Sequence, residues 1–323
     1  MSDKLFINII IIMSISIHIP FYNPFPDKKE GYRQLTRYDY LKENVENLKK
    51  LSLKTDIFIH THNTFLNDKL LDAKVLVHEI EKEKLNKGYL TWLCRPLVEK
   101  QKNDYQYFMY IEHDIKFSQN NFEYYLDHKN NLDKNNFHLG FLIYEKNQID
   151  QNNYCIHVSK KMNKFIIIDS KKYFLNDFEN YSCFWLYDQI TFKKFIKSKF
   201  WKFEKKLTNF RHNYGITERS ALGYHAFNIN YFKATVLPEI NSKPDERCFI
   251  EHITNNYFNK FKDNKSNNEY FDIRGVCKFK YNEVFEHKER NIQTYNFKII
   301  IDKYIKIFLW KFRFLIRLFR KYS

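Results

Sequence analysis

The sequence predicts an α/β fold with a mixed, mainly parallel sheet flanked by helices, and three observations point to it. Strand-length apolar segments alternate with segments of helical spacing across the first half of the chain, the order a parallel sheet with helical crossovers requires. Tyr107–Ile111, reading YFMYI, is an aromatic and aliphatic run that suits a strand buried on both faces. That run stops abruptly at Glu112, His113 and Asp114, and ligands in α/β proteins collect at the carboxyl ends of such strands.

Leu5–Ile19 is shorter than the roughly 20 apolar residues a membrane-spanning helix needs, and it contains Asn8, Ser14, Ser16 and His18. From Met13 onward apolar and polar residues alternate strictly, so residues 8–19 read as the first buried strand, with a membrane anchor as the alternative. Pro20, Pro24 and Pro26 then open a loop. Tyr38–Leu51 places Tyr38, Leu41, Val45 and Leu48 on one helical face. Asp56–His60 and Lys74–His78 read as the second and third strands, the second ending in the polar cluster His60, Thr61, His62 and Asn63. Gly88–Lys100 has helical character despite Pro96 and carries Arg95, which is either a phosphate clamp or an exposed helix charge.

Beyond the Glu-His-Asp triplet, Asn121–Leu132 predicts a helix, and Phe137–Tyr144 and Lys164–Asp169 predict strands. The aromatic patch Ser182–Asp188 is either core or a surface on which a sugar stacks. A helix is expected over Glu218–Tyr231, capped by Thr217 and acidic in its first turn, with Ser220, Ala221, Gly223 and Ala226 allowing close packing. Glu218 there is either a fixed functional acid or a plain helix-start acid. Ala234–Leu237 predicts a late strand, and His252 in CFIEHITNNY is either structural or a ligand.

Composition narrows the partners. A net charge of +16 favours something anionic, whether nucleic acid, anionic lipid or a phosphorylated substrate. Five dispersed cysteines without a CxxC pair fit reduced thiols rather than a disulfide framework. Residues 297–323 intersperse Lys and Arg with Ile, Leu, Phe and Trp310, without a helix breaker. This reads as a basic amphipathic helix lying on an anionic membrane, or alternatively packed on the protein's own body. The positive charge is concentrated in this apolar tail, which fits lipid better than nucleic acid. The chain thus divides into a domain at 1–260, a polar linker or extension at 261–296 and the tail at 297–323.

At the end of a buried strand, two carboxylates one residue apart can hold a hard divalent cation, which in turn neutralises a diphosphate. The ordered set ISIHI, IFIHTHN, LTWLCRP, YFMYIEHDI, TERSALG and IEHITNNY resembles the GT-A (Rossmann-like) glycosyltransferases, in particular polysaccharide-assembling enzymes, over about residues 12–257. The triplet at Glu112–Asp114 is then a variant of that family's Asp-x-Asp, with Glu in the first place. The resemblance implies that Asp114 ligates Mn²⁺ or Mg²⁺ and that Glu112 touches the donor or helps hold the metal. It also implies that His252 completes the metal shell and that Glu218 is the catalytic base of an inverting reaction. His113, Arg95 and His60 are grouped with Glu112 as donor-contacting residues.

The expected reaction moves a sugar from a nucleotide diphosphate sugar to a hydroxyl of a glycan or lipid-linked acceptor, at the cytoplasmic face of a membrane. A nucleotidyltransferase shares strand-end acids and a metal, but its Gly-rich basic loop after the first strand has no counterpart in SIHIPFYNPFPDKK. A basic nucleic-acid-binding protein is the non-enzymatic alternative. If Asp114 and His252 are both ligands, the fold must bring them within a few ångströms of a common point.

Overall fold

The computed structural model describes residues 13–62, 72–135, 137–147, 150–158, 160–176, 181–198, 200–202, 215–224, 235–257 and 279–292. The tail at 297–323, residues 8–12 of the first expected strand, residues 225–231 of the expected late helix and Cys277 lie outside the described residues. The four cysteines that are described are free and buried. No described helix is long and apolar enough to cross a membrane.

The architecture is the expected mixed α/β arrangement. Its central sheet begins with β1 (Ser14–Phe21), continues through helix α1 (Arg37–Leu48) to β2 (Lys54–Thr61), and then reaches β3 (Lys74–Val77). After the short helix α2 (Lys82–Asn86), a 3-10 turn at Tyr89–Trp92 and helix α3 (Arg95–Lys100) lead into β4 (Tyr107–Ile111). β1 pairs in parallel with both β2 and β4, and β2 with β3. β10 (Phe184–Asp188) closes the edge antiparallel to β4. Both faces of β1 are buried: Ile15, Ile17 and Ile19 on one side, Ser16 and His18 on the other. This is what a parallel strand under two helical layers experiences.

α1 starts where expected because Thr36 and Asp39 form a reciprocal capping box, and it buries Leu41, Val45 and Leu48. The segment Gly88–Lys100 is not one helix. Leu93 and Cys94 separate the 3-10 turn from α3, and Pro96 sits in the first turn of α3, where its missing N–H has no partner to lose.

A second sheet carries the other half of the candidate site. It contains β5 (Ile115–Lys116), β6 (Leu142–Lys146), β7 (Asn153–Cys155) and β12 (Phe249–His252), in the order β7-β6-β12-β5, with β6 and β12 parallel. A third sheet includes β8 (Met162–Ile168), β9 (Lys171–Asn176) and β11 (Thr235–Ile240). Helix α4 (Gln119–Lys134) connects β5 to this region, and α5 (Gln189–Lys197) follows β10.

One expectation is corrected here. Phe137–Tyr144 is not a single strand: His138–Leu139 pairs with β11 in the third sheet, whereas Leu142 starts β6 in the second. The switch occurs at Gly140, where a Cβ would stand 3.2 Å from the Thr235 side chain. Within 261–296, the described residues extend two of the sheets. β13 (Phe279–Lys280) pairs with β7, and β14 (Phe285–Asn291) pairs in parallel with β8, which buries Val284 and Phe285.

Candidate active site

The acidic triplet is a turn between β4 and β5, held from three directions. Asn44 on α1 donates to the carbonyls of Glu112 and His113 at 3.2 and 3.3 Å. The Glu112 amide donates to the Cys183 carbonyl, and the Ile115 amide donates back to the Glu112 carbonyl. Cys183 and Asn255 hold left-handed φ values of 59° and 54° beside the site. For a non-glycine residue such as Cys183 this costs on the order of 1–3 kcal/mol, and strain of this kind gathers at functional sites.

β12 runs antiparallel to β5, with His252 opposite Ile115, and the Ile253 amide donates to the Asp114 carbonyl. The fold therefore brings His252 to Asp114: the ring Nε2 lies 3.2 Å from Asp114 Oδ2 across 138 positions. On its other side, His252 Nδ1 lies 2.5 Å from Oε1 of Glu145, a fully buried carboxylate on β6. The Thr254 hydroxyl is 3.0 Å from His252 Nε2. Burial opposes the charged ring, but Asp114 and then Glu145 outweigh it and raise the His252 pKa to about 10. Burial also pushes Asp114 upward, yet the neighbouring His113 and His252 rings hold it well below the usual carboxylate range.

Glu112 is pushed the other way. Burial first, then the charges of Asp114 and Glu218, raise its pKa to about 8, against a 2.7 Å hydrogen bond donated by the Tyr181 hydroxyl. Three carboxylates thus act on one another across this turn. His113 packs edge-on against Phe21, and its buried Nε2 has no hydrogen-bond partner among the described residues.

Glu218 lies on α6 (Ile216–Ala221), which is shorter than expected and capped by Gly215 rather than Thr217. The Glu218 carboxylate folds back over its own cap, so that a Cβ at Gly215 would stand 2.3 Å from Oε2. The small residues of TERSALG do permit close packing. Ser220, Ala221 and Leu222 are buried, the Tyr110 and Ser220 hydroxyls meet at 2.8 Å, and the Trp92 indole donates to the Ile216 carbonyl at 2.9 Å. Gly88, at φ 85°, approaches so closely that a Cβ would overlap the Thr217 hydroxyl.

Arg95 and His60 stand apart from this cluster. The Arg95 guanidinium is buried between the Trp92 and Trp201 rings, 4.1 and 4.6 Å from their centroids, and donates to the carbonyls of Phe200, Trp201 and Ser220. It braces the end of α6 from within the core, where a phosphate has no access. His60 is wholly buried in a chain of rings that runs from β1 through β2 to the end of β3. His18 Nδ1 meets His60 Nε2 at 2.9 Å, and His60 Nδ1 meets His78 Nε2 at 2.8 Å. The inner end of this chain rests on Ser16 and Gln101.

The aromatic patch 182–188 is core over Phe184–Tyr187, and Trp185 is 1% exposed. Tyr181, just before it, is the residue that touches Glu112. Sequence reading missed Glu145, Tyr181 and Thr254; an ionisable side chain inside the apolar run FLIYEK was the available signal for Glu145.

Among the described residues, no three His, Cys, Asp or Glu side chains converge closely enough to hold a metal by themselves. Asp114 and His252 form a pair, with Glu112 beside them. Mg²⁺-type ions are commonly held by one or two carboxylates together with substrate phosphates. The donor set and the mutual repulsion of its acids therefore fit a divalent cation that is completed by a diphosphate.

No protein-family model matches the chain, and no curated protein does. Among solved structures, S. aureus TarS 1–349 is similar at 11% identity, over 72% of this chain and 59% of that one, with a TM-score of 0.36. The longer S. aureus TarS is similar at 10% identity, over 81% of this chain and 38% of that one, with a TM-score of 0.38. The 4-diphosphocytidyl-2C-methyl-D-erythritol synthase from Anaerococcus prevotii is similar at 12% identity, over 60% of this chain and 78% of that one, with a TM-score of 0.29. The chain thus spans about 59% and 38% of the two TarS structures.

Proposed function

We propose that this protein is a metal-dependent glycosyltransferase. In this reading it moves a sugar from a nucleotide diphosphate sugar to a hydroxyl of a glycan or lipid-linked acceptor, with inversion. The observation that carries the reading is the meeting of Asp114 with His252 beside Glu112, at the end of a central strand and within electrostatic reach of Glu218.

Asp114, His252 and Glu112 would hold the cation, which when bound screens the diphosphate and stabilises it as a leaving group. Glu218 would accept the proton of the acceptor hydroxyl as that oxygen bonds to the anomeric carbon and the bond to the diphosphate breaks. The nucleoside diphosphate leaves with the bonding pair. Tyr181 fixes the Glu112 carboxylate through its hydroxyl, and Arg95 and Tyr110 hold α6, so that Glu218 is presented from a rigid mount. One base opposite the leaving group suffices for inversion. The tail at 297–323 would bring the enzyme to lipid-linked acceptors at the cytoplasmic face of a membrane.

A panel of nucleotide sugars assayed with Mn²⁺ or Mg²⁺ tests this. The expected result is release of nucleoside diphosphate, with a product of inverted anomeric configuration. Activity should be abolished by chelation and by Asp114→Asn, with the fold unchanged by circular dichroism. Release of pyrophosphate from a nucleoside triphosphate would instead establish a nucleotidyltransferase. Salt-dependent DNA binding without turnover would establish a binding protein.

A further inference from the structure

Glu145 has no role in the chemistry above, yet it is a wholly buried carboxylate within β6. A buried charge is costly unless paired, and an apolar residue of similar volume would serve packing alone at least as well. Its Oε1 lies 2.5 Å from His252 Nδ1 and accepts from the Tyr257 amide at 3.1 Å. β6 and β12 are parallel neighbours, with Tyr144 opposite Glu251, so Glu145 and His252 emerge side by side at the same end of the sheet. The Thr254 hydroxyl and the Tyr257 ring, 5.4 Å from the His252 ring, close off its remaining sides.

We propose that Glu145 is a positioning residue that locks His252 with Nδ1 turned inward and Nε2 presented on the Asp114 side as a ligand for a divalent cation. The inference rests on the metal-dependent reading of the site. A ligand imidazole needs one nitrogen held by a hydrogen-bond acceptor so that the other faces the metal with a lone pair in a fixed direction, and carboxylates commonly serve as that acceptor. The Asp114–His252–Glu145 line has this layout. It draws one residue from the turn before β5, one from β12 and one from β6.

The test measures Mn²⁺ binding to the full chain by electron paramagnetic resonance. Glu145→Gln keeps the shape and removes the charge, and it should weaken Mn²⁺ binding by about 10–100-fold. The loss of turnover should be recovered by excess Mn²⁺. His252→Ala should also weaken binding, and adding Glu145→Gln to it should cost nothing more, because the positioned ring is already gone. Wild-type affinity in Glu145→Gln alongside a loss in His252→Ala would overturn the positioning role and leave the metal site standing. Wild-type affinity in His252→Ala would overturn the metal reading itself, and this proposal with it. If Glu145→Gln does not fold, the wild type still decides the matter. With ¹⁵N-histidine labelling and Mg²⁺ present, the His252 ring should carry its proton on Nδ1 and none on Nε2; the reverse tautomer would overturn the proposal.

Discussion

The Tyr110 hydroxyl donates to the Ser220 hydroxyl at 2.8 Å, because the Ser220 proton is already committed to the Thr217 carbonyl at 2.6 Å. This bond ties β4, which leads into Glu112, to α6, which carries Glu218. Tyr110→Phe removes it and leaves Ser220 bonded within its own helix. The expected cost is about 1 kcal/mol, read from the urea midpoint. Turnover should fall modestly, by much less than on removal of Glu218 itself.

Glu218→Gln keeps the side-chain shape and removes the proton acceptor. Turnover should fall by about 10²–10⁴-fold, with donor affinity unchanged in a binding assay. Gly215→Ala makes a sharper geometric test. The backbone there is extended, at φ −65°, so alanine is conformationally acceptable, but its methyl group would stand 2.3 Å from Glu218 Oε2. The carboxylate must swing away. Stability should change little and activity should drop; an unaltered rate would return Glu218 to the role of a helix-start acid.

The ring chain His18–His60–His78 makes stability fall in acid. Burial lowers the His18 pKa to about 3, against a Gln101 hydrogen bond that raises it. Burial, followed by the His18 and His78 rings, lowers that of His60 to about 2. In the unfolded chain both titrate near 6.5, so below that pH the unfolded state binds protons that the folded state refuses. Stability from these two groups is complete above about pH 6.5 and falls by roughly 1.4 kcal/mol per group for each pH unit below it. Urea midpoints measured from pH 7 to pH 4 check this, and a flat profile would mean that the rings are not locked neutral.

Deleting 297–323 should leave a folded enzyme that still handles donor sugar but releases from anionic vesicles. Each basic side chain at an anionic surface contributes about 1 kcal/mol. Activity on a lipid-linked acceptor should fall more than on a soluble one. If the truncated chain binds vesicles as before, the tail is not the anchor.

The central sheet was legible because β1, β2 and β4 combine apolar content with strand length, and a buried parallel strand leaves that mark in any sequence. α1 was legible through its periodic face. The misreadings share a cause, since local periodicity cannot see a change of partner. Phe137–Tyr144 reads as one strand through Gly140, while in space Gly140 is the point where the chain passes from one sheet to another. Arg95 reads as a phosphate clamp or an exposed helix charge because, Trp92 apart, the groups that enclose it lie 105 to 125 positions further along the chain. Glu145 needed its partner to become visible, and that partner is 107 positions away. The triplet Glu112–Asp114 stood out because it breaks an apolar run within three residues.

The link between Asp114 and His252 also has a consequence for the order in which the protein comes into being. A chain growing from its N-terminus completes β1, β2 and β4 long before His252 is synthesised, and 138 positions must be added after Asp114 before the pair can form. Contacts of such sequence separation close late, because loop entropy is lost before they return any stability. A nascent chain, or a fragment ending before β12, would therefore display the acidic turn with its repelling carboxylates and without His252 to balance them. On the proposed reading of the site, a chain that ends before His252 should therefore bind no divalent cation at the acidic turn.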